Sequence, residues 1–551
     1  APTLLILDNC EQIIGAVADL VATLVANTRD LTVLTTSRSP LGIRAERVYA
    51  LAELPEDDAI ALFSERARAA RPGVVLEGET VTQLVRRLDG LPLAIELAAA
   101  RVRAMSVRDV LNRLDHRFAL LRGGSTEAPE RHQTLLAVID WSWNLLDDRE
   151  RAALRRLSVF HDGFTLDGAE HLLDDDAVTV VEALVDHSLL TVHEDTGVRY
   201  RMLETVREFG RDRLGENGES EMARARLRAW AISRSRELQG RLIGPGQIEA
   251  VDAMRAEEAN LSNELRAAID AGDVPAVLAL AAGLMRYWEI TDGYRRLLVY
   301  LDRIAPLVTE YDETPAEQHA MRRVLSAIVL AAAMRGDGAT HPATLKLTTL
   351  GPGDDPQLAG DVHAVLALVT ATDEDALTVL TRLSEEADLH TRLRALRWLA
   401  HLRENSGDLD GALRAASSAV ELCPDTDGPW LPATMRAFRS QLLMQLGRRQ
   451  EAVLDAELAI GPLSRLYAED DAARLRLNIA IAHVADGRIE RAEAVIDELA
   501  DTGHGLFGGA AGVEGIRAEI AALRGDGDEA RRLRRRALAV HRRVTVPGRR
   551  E

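Results

Sequence analysis

The chain has 551 residues, 47% apolar and 28% charged, which at roughly 150 residues per domain makes three or four folded units and excludes both a single core and global disorder. With 87 acidic against 67 basic residues the net charge is −20, which argues against a chain that binds polyanions along its whole length. Cys10 and Cys423 are the only cysteines, too distant for a disulfide framework or zinc spacing, and no apolar run approaches the ~20 residues that span a bilayer; no membrane contact and a reduced, cytoplasmic setting are expected.

The chain opens on Ala1 and enters an apolar run within three residues, so it reads as starting inside a longer sequence. Leu4 to Leu7, ending at Asp8, has the form of a strand covered on both faces of a parallel sheet. Ile13, Ile14, Val17, Leu20, Val21, Leu24 and Val25 recur at helical spacing. Thr32 to Thr36 predicts a second strand, ending at Ser37-Arg38, and Val48 to Leu51 a third. Such an α/β sheet places ligand chemistry at the carboxyl ends of its strands. Two suitable groups stand there. The Asp8 carboxylate can hold the Mg²⁺ of a nucleotide, and the Arg38 guanidinium can fork onto a phosphate. Taken singly, an Asp at a strand end is more often a helix cap or turn residue, and a lone Arg after a strand is usually a surface residue. The lone lysine, Lys346, lacks the glycine frame of the loop Gly-x-x-x-x-Gly-Lys-[Ser/Thr] that cradles phosphates, so this sequence carries no such loop.

Helices are predicted over 57–70, 79–88 and 93–105, with Pro92 in the first turn of the third, where its missing N–H costs nothing. A loop rich in Gly, Ser and Pro at 123–129 marks a boundary. Helices at about 131–146, 148–159 and 177–187, then strands at 189–193 and 198–203 around a turn at 194–197, predict a winged helix. Its candidate recognition stretch, Asp174 to Leu190, holds Asp174, Asp175, Asp176, Glu182 and Asp186 and no Lys or Arg, and the wing tip adds Glu194 and Asp195. Phosphates would be repelled there, so DNA binding by this unit is not expected. His161, His171, His187 and His193 show no metal-ligand spacing.

From about Glu216 the sequence is helical and rich in Ala, Leu and Arg. Gly407, Gly447, Gly487 and Gly525 each precede an Ala by five residues (Ala412, Ala452, Ala492, Ala530), which predicts helix-turn-helix repeats with glycine in the turn and alanine at a close helix contact. Residues 257–307, with Trp288 and Gly293, read as degenerate earlier copies. Such repeats stack into a solenoid with a concave binding surface, and they also serve as plain scaffolds. The arginines from Arg531 to Arg543 have no interleaved aromatic residue and read as the solvated face of a terminal helix.

Four strings, residues 4–12, 34–42, 51–55 (Leu-x-x-Leu-Pro) and 90–94 (Gly-Leu-Pro-Leu-Ala), occur in the order found in signal-transduction NTPases of the STAND class, of the NB-ARC and MalT/AfsR type, which the chain resembles. Arg131 to Leu135, Trp141 to Trp143, Leu157 to Phe160 and Tyr200 to Phe209 are similar to the bacterial AfsR-like regulators, and the resemblance covers about residues 1–215. It implies a mainly α chain: the C-terminal part of an α/β P-loop NTPase sheet (1–54), a helical lid (55–128), a winged helix (129–215), a linker helix (216–245) and tetratricopeptide-like repeats (246–551). It implies Asp8 as Mg²⁺ ligand, Arg38 as γ-phosphate sensor, Pro92 in a lid against the nucleotide base, and Glu11 polarising the attacking water, although Glu11 is as readily a first-turn acid favoured by the helix dipole. The cofactor would be ATP or ADP with Mg²⁺, held only by a longer chain whose phosphate loop lies upstream. Tyr200 to Glu204 resembles the Met-His-Asp motif, with Leu203 where the phosphate-sensing His would stand. The implied function is an ATP-dependent switch in a bacterial transcriptional regulator of the AfsR or LuxR type, at most a slow ATPase. A protein or small-molecule inducer would be sensed on the repeats, DNA reached through a domain outside this sequence, and self-association driven by ATP. Two other readings stay open: a non-catalytic repeat scaffold with a decayed nucleotide site, and a sensor attached to a cyclase or kinase output.

Overall fold

The computed structural model describes residues 3–8, 10–28, 31–37, 40–88, 90–102, 105–112, 139, 143–144, 146–173, 176–187, 189–194, 197–291, 294–370, 373–424, 427–501 and 509–544. Their contacts fall into two compact units, Ala1–Trp230 and Ala231–Glu551. Helices dominate both, as the sequence predicts, and no described helix is long and apolar enough to cross a membrane.

In the first unit, β1 (Thr3–Leu7) pairs in parallel with β2 (Leu31–Thr35), in register from Thr3 opposite Leu31 to Leu7 opposite Thr35. The connecting helix α1 (Ile14–Asn27) buries Val17 and Val21 with Cys10, and Leu7 and Val33 pack against that cluster. Only one sheet face is covered. Leu4, Ile6 and Leu34, which alternate to the other face, are 57%, 59% and 53% exposed, so the expected burial of both faces is not what forms. The expected third strand is also absent: residues 46–55 form no ladder, and Val48, Tyr49 and Leu51 stand in solvent, because no strand lies alongside to take their backbone groups. The P-loop sheet expected over 1–54 is therefore represented, among the described residues, by one parallel pair.

Next come α2 (Glu56–Ala70), α3 (Gly78–Arg87), α4 (Pro92–Arg101) and α5 (Val107–Asn112). α2 packs on α3 and α4, and α3 on α5, around the fully buried Phe63, Leu84 and Ile95. Pro92 opens α4, the position its ring tolerates best.

The predicted winged helix forms from α6 (Asp148–Leu157), α7 (Leu166–Leu172), α8 (Ala177–Asp186), the antiparallel hairpin β3 (Thr191–Glu194) with β4 (Val198–Arg201), and α9 (Glu204–Glu216). A capping box starts α6: Asp147 accepts from the Glu150 amide and Glu150 from the Asp147 amide, each at 2.8 Å. The seven-residue α7 is not predicted, since two turns are too few for a periodicity signal, but its Thr165 cap was in plain view. Phe164 bridges Tyr200 with two backbone hydrogen bonds, adding a third extended segment to the wing. The helix expected over 131–146 falls mostly outside the described residues.

The helix α10 (Ser220–Arg241) contains the division between the units. The second unit continues with α11 (Gln247–Ala271), α12 (Val274–Ile290), α13 (Tyr294–Glu310), α14 (Gln318–Arg335), α15 (Pro342–Leu350), α16 (Pro356–Thr370), α17 (Asp373–Leu383), α18 (Leu389–Asn405), α19 (Leu409–Leu422), α20 (Trp430–Gln445), α21 (Arg449–Arg465), α22 (Glu469–Ala485), α23 (Ile489–Asp501), α24 (Gly509–Leu523) and α25 (Gly527–Val544). The last eight are four helix hairpins, and the glycine at each tip has a φ between +73° and +86° that an L side chain adopts only at a cost. Ala412, Ala452, Ala492 and Ala530 are buried as the repeat predicts. The earlier hairpins turn at Gly272, between α11 and α12, and Gly336, after α14. Five residues beyond these stand Val277 and His341 instead of Ala, which hid both turns from the repeat pattern, while the expected marker Gly293 lies outside the described residues.

Charged residues outside the site play structural roles. Lys346 is ion-paired with Glu313 at 3.0 Å and donates to the Tyr311 carbonyl. The terminal arginines Arg531, Arg532, Arg534 and Arg536 face Asp528, Glu529, Glu519 and Glu514 on their own or the neighbouring helix. The alanine contact makes a test. Ala452→Leu should cost about 1–3 kcal/mol by overpacking, whereas Gly515→Ala on α24, with nothing within 4 Å of the added Cβ, should gain roughly 0.5–1 kcal/mol; urea unfolding of both variants measures the contrast.

Candidate functional site

The carboxyl ends of β1 and β2 meet through local backbone bonds. The Thr36 amide donates to the Leu7 carbonyl at 3.0 Å, and the Cys10 amide to the Thr36 carbonyl at 3.0 Å. These place the exposed Asp8 beside Thr36, whose hydroxyl donates to the Asp8 carboxylate. The result is an oxygen-rich corner, carboxylate plus hydroxyl, of the kind hard cations accept. Glu11 belongs to the 3₁₀ turn Cys10–Ile13, and its side chain, like all of Arg38, lies outside the described residues.

Pro92 is exposed in the neighbouring substructure, α2 to α5, rather than in the strand pair. The two strings read from the sequence on either side of that substructure touch: the Leu54 amide donates to the Gly90 carbonyl at 3.1 Å. Gly90 has φ +62°, and a Cβ there would sit 2.7 Å from the Leu54 carbonyl oxygen, so only glycine fits.

On the winged helix, α8 takes the recognition-helix position and starts at Asp176, which accepts from the Thr179 hydroxyl and amide and is thereby held below its usual range. Glu182 and Asp186 follow on α8; Asp174, Asp175 and Asp195 lie outside the described residues. The unit's arginines are spent on its own architecture. Arg155 and Arg156 grip Glu219 at 2.7 and 3.0 Å, and Arg211 donates to the Ser158 carbonyl at 3.0 Å.

A third constellation escaped the sequence reading. In the second unit, α12, α14, α16 and α18 line a cavity of about 100 Å³ whose wall carries Arg286, Glu289, Arg323, Asp361 and Arg397, with Arg394 adjoining. Glu289 takes two arginines, Arg286 at 2.7 Å and Arg397 at 3.3 Å, and Asp361 takes Arg394 at 2.9 Å. Arg286 and Arg397 also lie over the Trp430 ring at 4.9 and 5.3 Å. Burial works to raise the Glu289 pKa, but the positive charge of Arg286, Arg397 and Arg394 outweighs it and holds the carboxyl down at about 2. Arg323 has neither a hydrogen bond nor an ion pair among the described residues, and burial works against its charge. The signal was the pair Arg286 and Glu289, three residues apart in the otherwise apolar run Val274 to Ile290; Arg323, Asp361, Arg394 and Arg397 come from helices tens of residues away, beyond any local pattern. Among the described residues no three His, Cys, Asp or Glu side chains cluster as a metal site.

With this geometry in place, the likenesses to known proteins can be set beside it. Residues 146–215 match the winged helix-turn-helix domain family. A protein of Mycobacterium tuberculosis (strain ATCC 25618 / H37Rv) named "Putative HTH-type transcriptional regulator Rv0890c" is 38% identical over 300 residues, 52% of this chain and 33% of its own length. A second protein of that strain, named "Uncharacterized protein Rv0894", is 39% identical over 240 residues, 41% of this chain and 61% of its own. The chain thus spans about a third of the first relative and under two thirds of the second. Among solved structures, a Signal Transduction ATPase with Numerous Domains (STAND) protein with a tetratricopeptide repeat sensor from Pyrococcus horikoshii aligns over 98% of this chain and 81% of its own, with 14% identity and a TM-score of 0.38, too distant a likeness to carry an argument.

Two measurements follow. Glu289 has a lowered folded pKa, so its stabilisation is present above the ordinary value of 4.5 and is lost as pH falls from there toward 2. Glu289→Gln should therefore cost about 3 kcal/mol at pH 7 and progressively less below pH 4.5, read by urea unfolding across pH. A helix-turn-helix is a DNA-reading motif, yet α8 carries acids where such a helix needs cations. Fluorescence anisotropy on duplex DNA should show at most weak binding that disappears between about 50 and 200 mM salt; saturable binding that survives this range would overturn the charge argument.

Proposed function

We propose that the chain is the nucleotide-responsive and sensing part of a STAND-type switch, of the NB-ARC and AfsR kind, within a bacterial transcriptional regulator. The observation that supports this most is the joined carboxyl ends of β1 and β2, with Thr36 on Asp8, at the place where open α/β sheets receive ligands. The fit to a nucleotide is partial: a carboxylate and a hydroxyl are present for Mg²⁺, while the glycine-framed lysine is not in this sequence. In this reading Asp8 holds the metal, Arg38 meets the γ-phosphate, Glu11 orients water and Pro92 belongs to the lid over the base. Bound ATP supplies the γ-phosphate whose loss separates the two states of the switch.

The winged helix, with acids on α8, couples the nucleotide unit to its neighbours rather than reading DNA, and contact with DNA belongs to another part of the whole regulator. The helical hairpins sense an inducer, and ATP promotes self-association. The name of the first mycobacterial relative supports a regulatory role. A scaffold with a decayed nucleotide site is the second reading, favoured by the engagement of the one lysine with Glu313.

A sensor arginine matters only while the γ-phosphate is present, so its effect must appear as a difference between nucleotides. In a chain extended upstream to carry a phosphate loop, Arg38→Ala should weaken ATP binding by roughly 1.5–3 kcal/mol and leave ADP nearly unchanged. Asp8→Ala should remove the Mg²⁺ dependence of both. Calorimetry with the two nucleotides decides; equal losses for ATP and ADP would make Arg38 a structural residue and remove the switch reading.

A further inference from the structure

The cavity of the second unit has a charge problem that its own residues do not solve. Arg286, Arg323, Arg394 and Arg397 face two carboxylates, Glu289 and Asp361, leaving an excess of two positive charges. The pairing is uneven as well, because Glu289 and Asp361 between them pair directly with the other three arginines, while Arg323 has only their longer-range attraction. Further guanidinium nitrogens are buried without partners, Nη1 of Arg394 and Nε of Arg286 and Arg323. A buried, unpaired guanidinium costs several kcal/mol, and native interiors almost always match such groups. Arg323 is partly exposed on the cavity wall, with its Nε enclosed and unpaired, so a group from outside the chain can match it.

The surroundings narrow what that is. Arg286 and Arg397 are stacked on Trp430, so the cationic wall is held in place before anything binds and little ordering cost remains. Met285, Leu330, Leu358 and Val365 form an apolar wall on the same cavity. Its volume of about 100 Å³ admits several waters or a small organic molecule. A hydrated inorganic ion would leave the apolar wall unused, and a neutral molecule would leave Arg323 unmatched.

We propose that this cavity binds a small organic anion, a carboxylate or phosphate carried on an apolar body, with Arg323 meeting its charge. The guanidinium fork matches either group in bidentate fashion. This rests on the second unit being the sensor of the switch and names the class of its inducer. It is independent of the nucleotide corner, so ATP titrations on the same samples keep the two readings separable.

The test is thermal denaturation and calorimetry of the intact chain at constant ionic strength, with octanoate, phenyl phosphate, inorganic phosphate, chloride and octylammonium as probes. Octanoate or phenyl phosphate should stabilise the chain saturably, with Kd below about 1 mM, while octylammonium should not. Arg323→Met should weaken that binding at least tenfold without lowering the melting temperature of the unliganded chain, because it removes a partly buried charge that no carboxylate pairs with directly. Ala327→Phe, which fills the cavity and leaves every charge in place, should abolish binding too, and decides the matter if the arginine variant fails to fold. Equal effects of chloride and the organic anions would mean an adventitious counter-ion only and would overturn the proposal. So would a response to octylammonium equal to that of octanoate, phenyl phosphate no tighter than inorganic phosphate with octanoate inert, or an undiminished response in both variants.

Discussion

Two helices can approach closely only where one of them presents no more than a methyl group, and that constraint organises the second unit. At the hairpins from α18 to α25 it is met by an alanine one turn and a half beyond the glycine tip. Ala412, Ala452 and Ala492 are almost wholly enclosed there, and a side-chain hydrogen bond adds to the contact at one of them, the Ser440 hydroxyl of the partner helix donating to the Ala452 carbonyl at 2.8 Å. Burial of many small residues yields modest apolar area per residue, so this part of the chain depends on the number of such contacts more than on any one of them.

Where the alanine is missing, the packing changes character. The hairpins built on Gly272 and Gly336 lack it, and in that region α12, α14, α16 and α18 enclose charged side chains and open space. Interior charge on this scale is tolerated only in networks. Glu289 shared by two arginines, with both of those stacked on Trp430, is such a network. It also orders the residues by consequence: loss of Glu289 exposes two guanidinium groups to an unmatched interior, whereas loss of Arg323 relieves one. The winged helix follows the opposite policy, with its arginines turned inward onto Glu219 and the Ser158 carbonyl and its acids left on α8.

What could be read from the sequence were features repeated or bounded by local chemistry. The four glycine turns, the helix starting at Pro92, the parallel pair ending at Asp8 and the winged-helix hairpin all have signals within a few residues. What failed were inferences that needed a neighbour. Val48 to Leu51 has the composition of a strand but no partner beside it, and Leu4 and Ile6 have the composition of a doubly covered strand but one covered face. Of the strand-end site, Asp8 was legible because it closes an apolar run; Thr36, read only as the end of a strand, and its hydrogen bond to Asp8 were not. The arginine cavity was invisible because its six charged members are spread in ones and twos over four helices, and one arginine in a helical run looks the same whether it faces water or a carboxylate.

The bare face of the first sheet has a practical meaning. Among the described residues each of its strands has one partner, so each keeps an open edge, and parallel pairs are ordinarily sheltered on both sides. Leu4, Ile6 and Leu34 thus form a greasy patch bordered by strand edges, a combination that recruits other extended chains as readily as it would a proper neighbour. Handling of the purified chain will be governed by that patch: clear at low concentration, prone to strand-on-strand clumping when crowded, and improved by a lysine placed at Ile6 without any gain in the folded core.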